Sequence, residues 1–388
     1  MRVLHVIPSV GLTYGGSSIA VLNLSRSLAQ RGVDVDIVTT NVDGSQILDV
    51  PLQTWIEEEN YRIKYFSCIY LKDYKISISM SQWLFKYVKD YDLVNTHSIF
   101  SSSIFPAYQA CQIHHVPYVI HPHGMLESWA LTYKKWKKAP YYALIEKPAI
   151  QRASTIRVLV SQEAESIKTL KLTVPLATVP NGIWEQDFTK LSDPEIFYQN
   201  FPETRHKTLI LFLGRIDPKK GLDLLAPALA KVRSQFPHIH LIVAGPDNTG
   251  FLPTAKSYFA DTDCLDAVTF TGMLIGNLKA AALAASDLYV APSYSEGFSM
   301  SVLEGMASSL PCVITTGCNF PEATAANAAT VVEIDSEAIA NALIHCLKYP
   351  DEAKAMGDRA RQFILENYTW DKIAVQMKQV YIDILKNH

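Results

Sequence analysis

The sequence predicts an α/β protein of two domains, each a mostly parallel sheet covered by helices. The chain has 388 residues, which is too many for one ordinary hydrophobic core. Short β-branched runs alternate with amphipathic stretches from end to end, the pattern of parallel strands joined by helices. A polar stretch interrupts this series once, and the series then restarts. These observations together predict two Rossmann-like domains facing across a cleft.

Each predicted strand is a short apolar run bounded by turn residues. In the first half we predict strands near residues 2–7, 34–39, 62–66, 92–96, 117–120, 155–160 and 176–179. In the second half they fall near residues 208–213, 239–244, 268–271, 288–291, 312–315 and 330–333.

The polar stretch at residues 184–207 has neither the helical nor the strand period, so we place the domain boundary there. The N-terminal domain is predicted over residues 1–190 and the C-terminal domain over 191–369. A last amphipathic helix at about residues 370–388 could pack back on the first domain.

Composition and charge exclude several classes of protein. Apolar residues make up 48% and charged residues 19%, a balance typical of globular proteins. The formal net charge of −3 gives no overall attraction for nucleic acid, so no such partner is expected. The opening apolar run ends at Pro8, too early for a signal peptide, and no later run is long enough to span a membrane. The cysteines are scattered without ligand spacing, which indicates reduced thiols in a cytoplasmic protein.

The first candidate site is Gly15-Gly16-Ser17, which follows the first strand and opens a helix running to about Arg31. Glycines let a ligand approach the backbone closely, and a helix N-terminus offers free N–H groups to an anion. Small residues at such a turn also occur for packing reasons alone. The motif matches neither the dinucleotide fingerprint nor a phosphate-binding lysine loop.

The second candidate lies in the loop Gly214-Arg215-Ile216-Asp217-Pro218-Lys219-Lys220-Gly221, directly after a predicted buried strand. Residues just past the carboxyl end of a strand face the ligand crevice of an open α/β sheet. Arg215 can grip phosphate oxygens with two N–H groups, and Lys220 adds a compact second charge. The pair therefore predicts binding of a diphosphate. The alternative is a solvated basic turn shaped by Pro218.

The third candidate is Glu296-Gly297-Phe298 with Glu304, spanning a strand-to-helix turn. Both carboxylates could accept hydrogen bonds from sugar hydroxyls. The alternative for Glu304 is a capping box with Ser301, because Ser-x-x-Glu is a helix-start pattern. Both roles can hold together, since a carboxylate near a helix N-terminus stays ionised.

The fourth candidate is His123, in His121-Pro122-His123-Gly124 after a strand of the first domain. Its imidazole could touch a reacting sugar or an acceptor hydroxyl. A lone histidine is more often structural, so the residue depends on the other motifs for support. Pro180-Asn181-Gly182 is a turn signal by itself.

In their order and spacing, these motifs resemble the family 4 glycosyltransferases, which have the GT-B fold. The resemblance covers nearly the whole chain. It rests on Gly15-Gly16-Ser17, His123-Gly124, Pro180-Asn181-Gly182, Gly214-Arg215 through Lys220-Gly221, Ala244-Gly245, Phe270-Thr271-Gly272 and the Glu296 to Glu304 element.

The resemblance implies a role for each matching residue. Arg215 and Lys220 would bind the donor diphosphate, while Glu296 and Glu304 would contact the sugar and the ribose. His123 would lie near the anomeric carbon of the donor sugar. The implied catalytic set is His123, Arg215, Lys220 and Glu296. The implied donor-binding set is Gly15, Gly16, Arg215, Lys220, Glu296, Gly297, Phe298, Glu304, Asn319 and Phe320.

The resemblance further implies retention of anomeric configuration without a bound metal or other cofactor, because protein cations stabilise the departing nucleoside diphosphate. Two departures from the family pattern matter. Ser299 replaces a common glycine, and the usual acidic turn near residue 317 reads Thr316-Gly317-Cys318-Asn319-Phe320. The second departure leaves the donor sugar open, although the backbone amides of Asn319 and Phe320 could still bind sugar hydroxyls.

Two Asp-x-Asp sequences, Asp34-Val-Asp36 and Asp261-Thr-Asp263, superficially match a metal motif. Neither follows a predicted strand, so we interpret them as solvated carboxylates and predict no metal site.

A basic and aromatic segment suggests binding of a lipid-diphosphate acceptor or of the inner face of a membrane, with a solvated helix face as the alternative. Its residues are Lys134, Lys135, Trp136, Lys137 and Lys138.

The predicted function is transfer of a hexosyl unit from a UDP- or GDP-sugar to a polysaccharide or a lipid-linked saccharide. Front-face attack is expected, because the sequence offers no convincing nucleophile for a double displacement. The alternatives are a nucleotide-sugar epimerase or hydrolase and a binding subunit without catalysis. Arg215, Lys220, Glu296 and Glu304 argue against the last, since all would have to persist without use.

Overall fold

The computed structural model describes residues 1–11, 13, 15–71, 74–126 and 140–388. These residues form two compact units. The first comprises Met1–Gly182 with Trp370–His388, and the second comprises Ile183–Thr369. The chain therefore returns to the first unit with its last helix. Ile183 opens the second unit, where its N–H donates to the Tyr368 carbonyl at 2.9 Å.

The first unit is built on a mostly parallel sheet. Its strands are β1 (Arg2–Ser9), β2 (Asp34–Thr40), β3 (Val42–Asp43), β4 (Gln46–Ile47), β5 (Trp55–Glu57), β6 (Arg62–Phe66), β7 (Ile69–Leu71), β8 (Tyr74–Ile76), β9 (Leu93–His97), β10 (Tyr118–His121), β11 (Thr155–Val158) and β12 (Leu176–Thr178). The main sheet has the order β12-β11-β10-β9-β1-β2-β6-β5, and its edge strand β5 is antiparallel to β6. Strands β3 and β4 pair separately, as do β7 and β8.

Helices cover this sheet. They are α1 (Gly16–Gln30), α2 (Ile78–Tyr87), α3 (Phe105–His114), α4 (Lys147–Gln151), α5 (Ser161–Lys168) and the last helix of the chain, α15 (Trp370–Lys386). A π-helical turn, Tyr142–Glu146, precedes α4. Helix α15 packs on α1, where Ser27 Oγ donates to the Trp370 carbonyl at 2.9 Å. Its apolar face buries Tyr381 completely, so the end of the chain is part of the first core.

The second unit contains a parallel sheet of β13 (Thr208–Leu213), β14 (Ile239–Ala244), β15 (Val268–Gly272), β16 (Leu288–Ala291), β17 (Cys312–Thr315) and β18 (Thr330–Val332). The sheet order is β15-β14-β13-β16-β17-β18. Its helices are α6 (Gln186–Thr189), α7 (Pro194–Asn200), α8 (Leu222–Gln235), α9 (Leu252–Asp261), α10 (Gly276–Ala285), α11 (Met300–Ala307), α12 (Pro321–Ala325), α13 (Ser336–Lys348) and α14 (Pro350–Asn367).

Strand β13 shows why these apolar runs become central strands. Leu209 and Leu211 face one hydrophobic cluster, whereas Ile210 and Phe212 face the cluster on the other side. Side chains alternate across a strand, so a continuous apolar run suits a sheet buried on both faces. Helices on each side then cover both clusters.

Every strand predicted from the sequence is confirmed within a few residues, including the restart of the series at β13. The short strands β3, β4, β5, β7 and β8 were not predicted. They are brief antiparallel segments outside the central parallel ladder, and such short segments carry little periodicity of their own.

In the part of the chain that the structure describes, no helix combines the length and apolar character needed to cross a membrane. Residues 134–138 lie outside the described residues.

Candidate functional site

The strand order creates one crevice in the second unit. Strands β13 and β16 are neighbours in the sheet. The strands that follow β13 in the chain, β14 and β15, lie on one side of this pair, and those that follow β16, β17 and β18, lie on the other. In open parallel sheets, ligands bind at such a switch point, beyond the carboxyl ends of the strands. Arg215 follows β13 there, and Glu296 belongs to the loop that follows β16. The structure therefore brings these two predicted elements to the same end of adjacent strands.

Arg215 is exposed and its side chain has no ion pair or hydrogen bond within the described ranges. Its backbone neighbours are nevertheless anchored. The Gly214 N–H donates to the Ala244 carbonyl at 2.9 Å, and the Ile216 N–H donates to the Pro246 carbonyl at 2.9 Å. A held backbone with an unengaged guanidinium is suited to capturing an anion.

Lys220 and Glu296 form a half-buried ion pair, with the Lys220 ammonium donating to Glu296 Oε1. The two side chains are 14% and 13% exposed, so water screens their attraction only in part. Ser293 Oγ donates to the same carboxylate oxygen at 2.8 Å. The Glu296 N–H donates to the Gly317 carbonyl at 2.8 Å, which holds the backbone of this loop as well.

Glycines allow the loops of this crevice to approach each other closely. A Cβ on Gly221, whose φ is +71°, would lie 2.0 Å from the Pro292 carbonyl oxygen. A Cβ on Gly317 would lie 2.2 Å from the Ser293 carbonyl oxygen. Any side chain at either position would push the Lys220 and Glu296 loops apart.

Glu304 has a different setting from the one that the capping-box alternative requires. Helix α11 is preceded by Ser299, so Ser301 lies inside the helix, where its hydroxyl accepts from Tyr289 Oη at 2.9 Å. The capping box is therefore wrong, because the helix starts before Ser301. Glu304 instead accepts from Lys279 Nζ of α10 at 2.8 Å. The sequence contained no signal for this partner.

The remaining predicted donor residues line the same turn. Gly297 and Phe298 follow Glu296, and the Phe298 ring packs against Phe320 with centroids 5.7 Å apart. Phe320 is buried, so its side chain has a packing role. The Asn319 side chain donates to the Glu296 carbonyl at 2.5 Å, and its N–H donates to the Thr316 carbonyl at 3.2 Å. Within the described ranges, the Phe320 N–H keeps no such acceptor.

In the first unit, Gly15 and Gly16 lie where β1 gives way to α1. Gly15 is the N-cap residue of the helix, with a φ of +60° and no side chain of its own to cap the helix start. Among the described residues, a Cβ built on either glycine would meet nothing within 4 Å. The space above the first turn is thus open to a ligand.

His123 belongs to a cluster of imidazoles at the carboxyl ends of β9 and β10, in which His5, His97 and His121 are fully buried and His123 is partly exposed. His97 Nδ1 lies 3.2 Å from His123 Nε2, and His97 Nε2 lies 3.0 Å from His5 Nδ1. The His121 and His123 rings stack with centroids 3.7 Å apart. Sequence reasoning singled out His123 alone. His97 carried a comparable signal, since it too ends a strand, whereas His5 lies within β1 and carried none.

One arrangement of protons on His5, His97 and His123 satisfies the hydrogen bonds between them. Asn95 Nδ2 donates to Tyr381 Oη at 2.8 Å, and Tyr381 Oη lies 3.5 Å from His5 Nε2, its one acceptor among the described residues. His5 then carries its proton on Nδ1 and donates to His97, which donates from Nδ1 to His123. The proton of His123 is left on Nδ1.

Arg157 is a buried cation beside these rings. Its Nη1 lies 3.4 Å from His121 Nδ1, while Nε and Nη2 donate to the carbonyls of Val179 and Pro180 at 2.9 and 2.7 Å. The turn predicted at Pro180-Asn181-Gly182 is thereby tied to the core, where Asn181 Oδ1 also accepts from Arg157.

Burial, with Arg157 as the second cause, lowers the pKa of both His5 and His123 to about 3. Burial likewise lowers the pKa of His97 and His121 well below the usual value. All of these imidazoles are therefore neutral near pH 7.

Two family profiles match successive parts of the chain. The one described as "Glycosyltransferase Family 4" matches residues 14–185, and the one described as "Glycosyl transferases group 1" matches residues 207–349. The chain belongs to glycosyltransferase family 4.

Relatives and a solved structure agree with this membership. The glycosyltransferase is 25% identical to MMP alpha-(1->4)-mannosyltransferase of Mycolicibacterium hassiacum over 406 residues, 95% of this chain and 94% of the relative. It is 34% identical over 187 residues to D-inositol 3-phosphate glycosyltransferase of Gordonia bronchialis, a match that spans 46% of this chain and 40% of the relative.

HepE from Anabaena, crystallised in complex with UDP-glucose, is similar to the glycosyltransferase along the entire length of both chains, with a TM-score of 0.76 and 16% identity. This likeness gives the fold, which is GT-B.

In this glycosyltransferase, His97, His121 and His123 are the described residues whose ring nitrogens lie close enough together to hold a metal ion, within 4.8 Å of one another. Neutral imidazoles are good ligands for transition metals. The buried guanidinium of Arg157 lies against His121, however, and a fixed positive charge opposes a dication at the same place. The hydrogen bonds of His97 with His5 and His123 already engage both of its ring nitrogens, which would be its ligand atoms.

Proposed function

We propose that this glycosyltransferase transfers a hexosyl unit, with retention, from a UDP- or GDP-sugar to a polysaccharide or a lipid-linked saccharide. The observation that carries the proposal is the exposed Arg215, which has no ion-pair partner among the described residues, at the switch point that also holds Lys220 and Glu296. A diphosphate brings two or more negative charges, which an unpaired guanidinium and a nearby ammonium can neutralise. Sugar hydroxyls need acceptors, which the carboxylates supply.

In the proposed reaction, the acceptor hydroxyl attacks the anomeric carbon from the face that the leaving group occupies. The bond from the anomeric carbon to the diphosphate oxygen breaks, and that oxygen takes the proton of the acceptor hydroxyl. Negative charge accumulates on the departing diphosphate as the bond lengthens. Arg215 and Lys220 act by stabilising that charge, an interaction stronger in the transition state than in the ground state. We propose no metal in this step.

His123 enters the proposal as a neutral hydrogen-bonding group near the donor sugar. With its proton on Nδ1 it can donate to a sugar oxygen or to a backbone carbonyl, but it cannot serve as a cation near pH 7. Gly15 and Gly16 would leave room for the donor phosphates at the start of α1. Glu304, held by Lys279, would accept from the ribose hydroxyls.

The names of related proteins support this choice of substrates. One relative is a mannosyltransferase, another is a D-inositol 3-phosphate glycosyltransferase, and HepE holds UDP-glucose. The membrane contact proposed for Lys134, Lys135, Trp136, Lys137 and Lys138 concerns residues outside the described ranges and would suit a lipid-linked acceptor.

A donor panel tests the proposal. The full chain is heated with UDP-glucose, UDP-galactose, UDP-N-acetylglucosamine, GDP-mannose or ADP-glucose, and its melting temperature is compared with that of the free protein. One UDP- or GDP-sugar is expected to raise it by several degrees, and Arg215→Ala is expected to abolish the rise. The same donor is then incubated without acceptor and followed by NMR. Conversion of the donor to an epimer, or hydrolysis of the donor at the full catalytic rate, would show that the protein is an epimerase or a hydrolase and not a transferase.

A further inference from the structure

A surface cavity of about 510 Å³ lies at the amino end of the first sheet. It is lined by Arg2, Gln53, Trp55, Lys64, Ser79, Gln82, Trp83, Lys86, Tyr87, Asp90 and Tyr91. Arg2 begins β1, and Tyr91 lies two residues before the start of β9. His123 follows the carboxyl end of β10, so the cavity and the histidine cluster occupy opposite ends of the same sheet.

A buried carboxylate organises one wall of this cavity. Asp36 is fully buried and accepts from Arg62 Nε at 2.8 Å, from Arg2 Nη2 at 3.0 Å and from Tyr91 Oη at 2.7 Å. The expectation that Asp36 is a solvated carboxylate is therefore wrong. It lies in β2, where neighbouring strands bring basic side chains over it. The wall that these residues form is fixed before any ligand arrives.

Aromatic rings form the other wall. The Trp83 ring meets Trp55 edge to face with centroids 5.8 Å apart, and it lies 5.3 Å from Tyr87 and 6.3 Å from Tyr91. The Arg62 guanidinium lies 4.9 Å from the centre of the Trp55 ring, which holds that indole in place. Rigid aromatic surfaces of this kind contribute contact area at little entropic cost.

Two ammonium groups of the cavity have no carboxylate partner among the described residues. Lys64 Nζ lies 4.4 Å from the Trp55 ring and 5.5 Å from the Trp83 ring. The Asp36 carboxylate also acts on it electrostatically, without forming an ion pair among the described residues. Lys86 Nζ lies 5.0 Å from the Tyr87 ring. Partial burial, the largest cause, lowers the pKa of Lys64. Lys86 is exposed, whereas Lys64 is half-buried and shares the Asp36 charge with Arg2 and Arg62. An anionic ligand would therefore offset part of the cost of burying Lys64.

The charges of the lining select the kind of anion. The two charges of Arg2 and Arg62 are balanced by those of Asp34 and Asp36. Lys64 and Lys86 contribute two positive charges and Asp90 one negative charge, which leaves one positive charge for the ligand. A carboxylate matches this balance better than a doubly charged phosphate.

The neutral lining residues Gln53, Gln82 and Ser79 add amide and hydroxyl groups that both donate and accept. Sugar hydroxyls also donate and accept, so these groups suit a saccharide. We propose that the cavity is an accessory site for an acidic saccharide, with a uronate carboxylate at Lys64 and the sugar ring against the aromatic wall. The choice of a saccharide rests on the proposed acceptor, of which this site would hold a part remote from the reacting end.

Binding to the full chain tests the proposal, with a hyaluronan hexasaccharide as the acidic probe. We expect saturable binding by calorimetry, with a change in tryptophan fluorescence, because Trp55 and Trp83 line the cavity. Lys64→Met is expected to weaken binding at least tenfold, Lys64→Arg to retain most of it, and Lys354→Met, an exposed lysine of α14, to leave it unchanged. Maltohexaose, a neutral hexasaccharide of similar length, is expected to bind at least tenfold more weakly.

Melting temperatures of the variants establish that they fold. The proposal is overturned if the hexasaccharide fails to saturate, if folded Lys64→Met binds it as well as the parent does, or if maltohexaose binds equally tightly. Displacement of the hexasaccharide by equimolar inorganic phosphate would overturn it in favour of a phosphate site. No donor is present in these titrations. Failure of the donor panel would therefore reject the proposed transferase and leave the result of the saccharide titrations unchanged. Failure of the titrations would reject the accessory site and leave the result of the donor panel unchanged.

Discussion

The two units use the same strand order for opposite electrostatic purposes. If only the parallel strands of each main sheet are counted in chain order, the first strand lies beside the fourth in both units. These pairs are β1 with β9 and β13 with β16, and each marks a switch point. At the carboxyl ends of β13 and β16, the second unit presents the charges of Arg215, Lys220 and Glu296. At the carboxyl ends of β9 and β10, the first unit presents imidazoles that burial keeps neutral. The topology of both units provides a place for a ligand, whereas the residues that follow the strands decide its chemistry.

Within the second unit, a further contrast separates Arg215 from Lys220. Arg215 is exposed and forms no ion pair with any residue that the structure describes, so it contributes little to the folded structure by itself. Lys220 is half-buried against Glu296 and is part of the structure even without a donor. The ion pair has to share Lys220 with the incoming diphosphate, while Arg215 is available at once.

The largest expected effect is catalytic. Arg215→Ala and Lys220→Ala should each lower kcat by roughly 10²- to 10³-fold, about 3–4 kcal/mol, because each removes a charge that stabilises the leaving diphosphate. Steady-state kinetics with the donor found in the panel measures this, with Lys354→Ala as the control. Rates near the parent value in both variants would contradict the assignment of the donor site.

The next effect separates the two cations by stability. Lys220→Met leaves the Glu296 carboxylate half-buried without its partner and should cost about 1–3 kcal/mol. That corresponds to a melting temperature lower by roughly 2–10 °C. Arg215→Met should change it by no more than about 1–2 °C, since exposed substitutions cost within about 0.5 kcal/mol. Equal shifts in the two variants, measured by calorimetry without donor, would remove the distinction.

The neutral cluster predicts a dependence of stability on pH. The pKa of His5 and of His123 is lowered to about 3 in the folded protein, so the unfolded chain binds more protons below about pH 6.5. Stability should be constant above that pH and decline on acidification toward pH 3. Each imidazole contributes at most about 1.4 kcal/mol per pH unit.

Denaturant titrations between pH 7 and pH 4.5 measure this decline. Replacing His5 by glutamine, which does not titrate, should reduce the slope relative to the parent. His238→Gln changes an exposed histidine of the other unit and is the control. An unchanged slope in His5→Gln would show that His5 is not held neutral.

The smallest effect concerns the ribose. Glu304→Gln should weaken nucleotide binding by about tenfold, or about 1.4 kcal/mol, because the amide is a poorer acceptor than the carboxylate. Lys279→Met should weaken it less, since Lys279 acts by holding Glu304. Calorimetry with the nucleoside diphosphate gives both values. Unchanged affinity in Glu304→Gln would leave the residue a structural role only.

Prediction succeeded where the signal is local. The apolar run of β13 and the loop from Arg215 to Lys220 are continuous in the sequence, so their structure and their position past a strand end could be predicted. The error at Glu304 was also local, because Ser301 fits a helix-start pattern that Ser299, two residues earlier, displaces. Asp36 was misjudged because its partners Arg2 and Arg62 come from other strands.

By itself, the sequence determined the fold class, the parallel strands and the motifs that follow them, since period and turn chemistry depend on residues close together in the chain. Only the tertiary structure decided which side chains meet. His5 meets His97 across 92 residues, and Lys220 meets Glu296 across 76. The physical reason is that burial and charge pairing depend on distance in space, and parallel strands bring together residues whose separation along the chain carries no pattern.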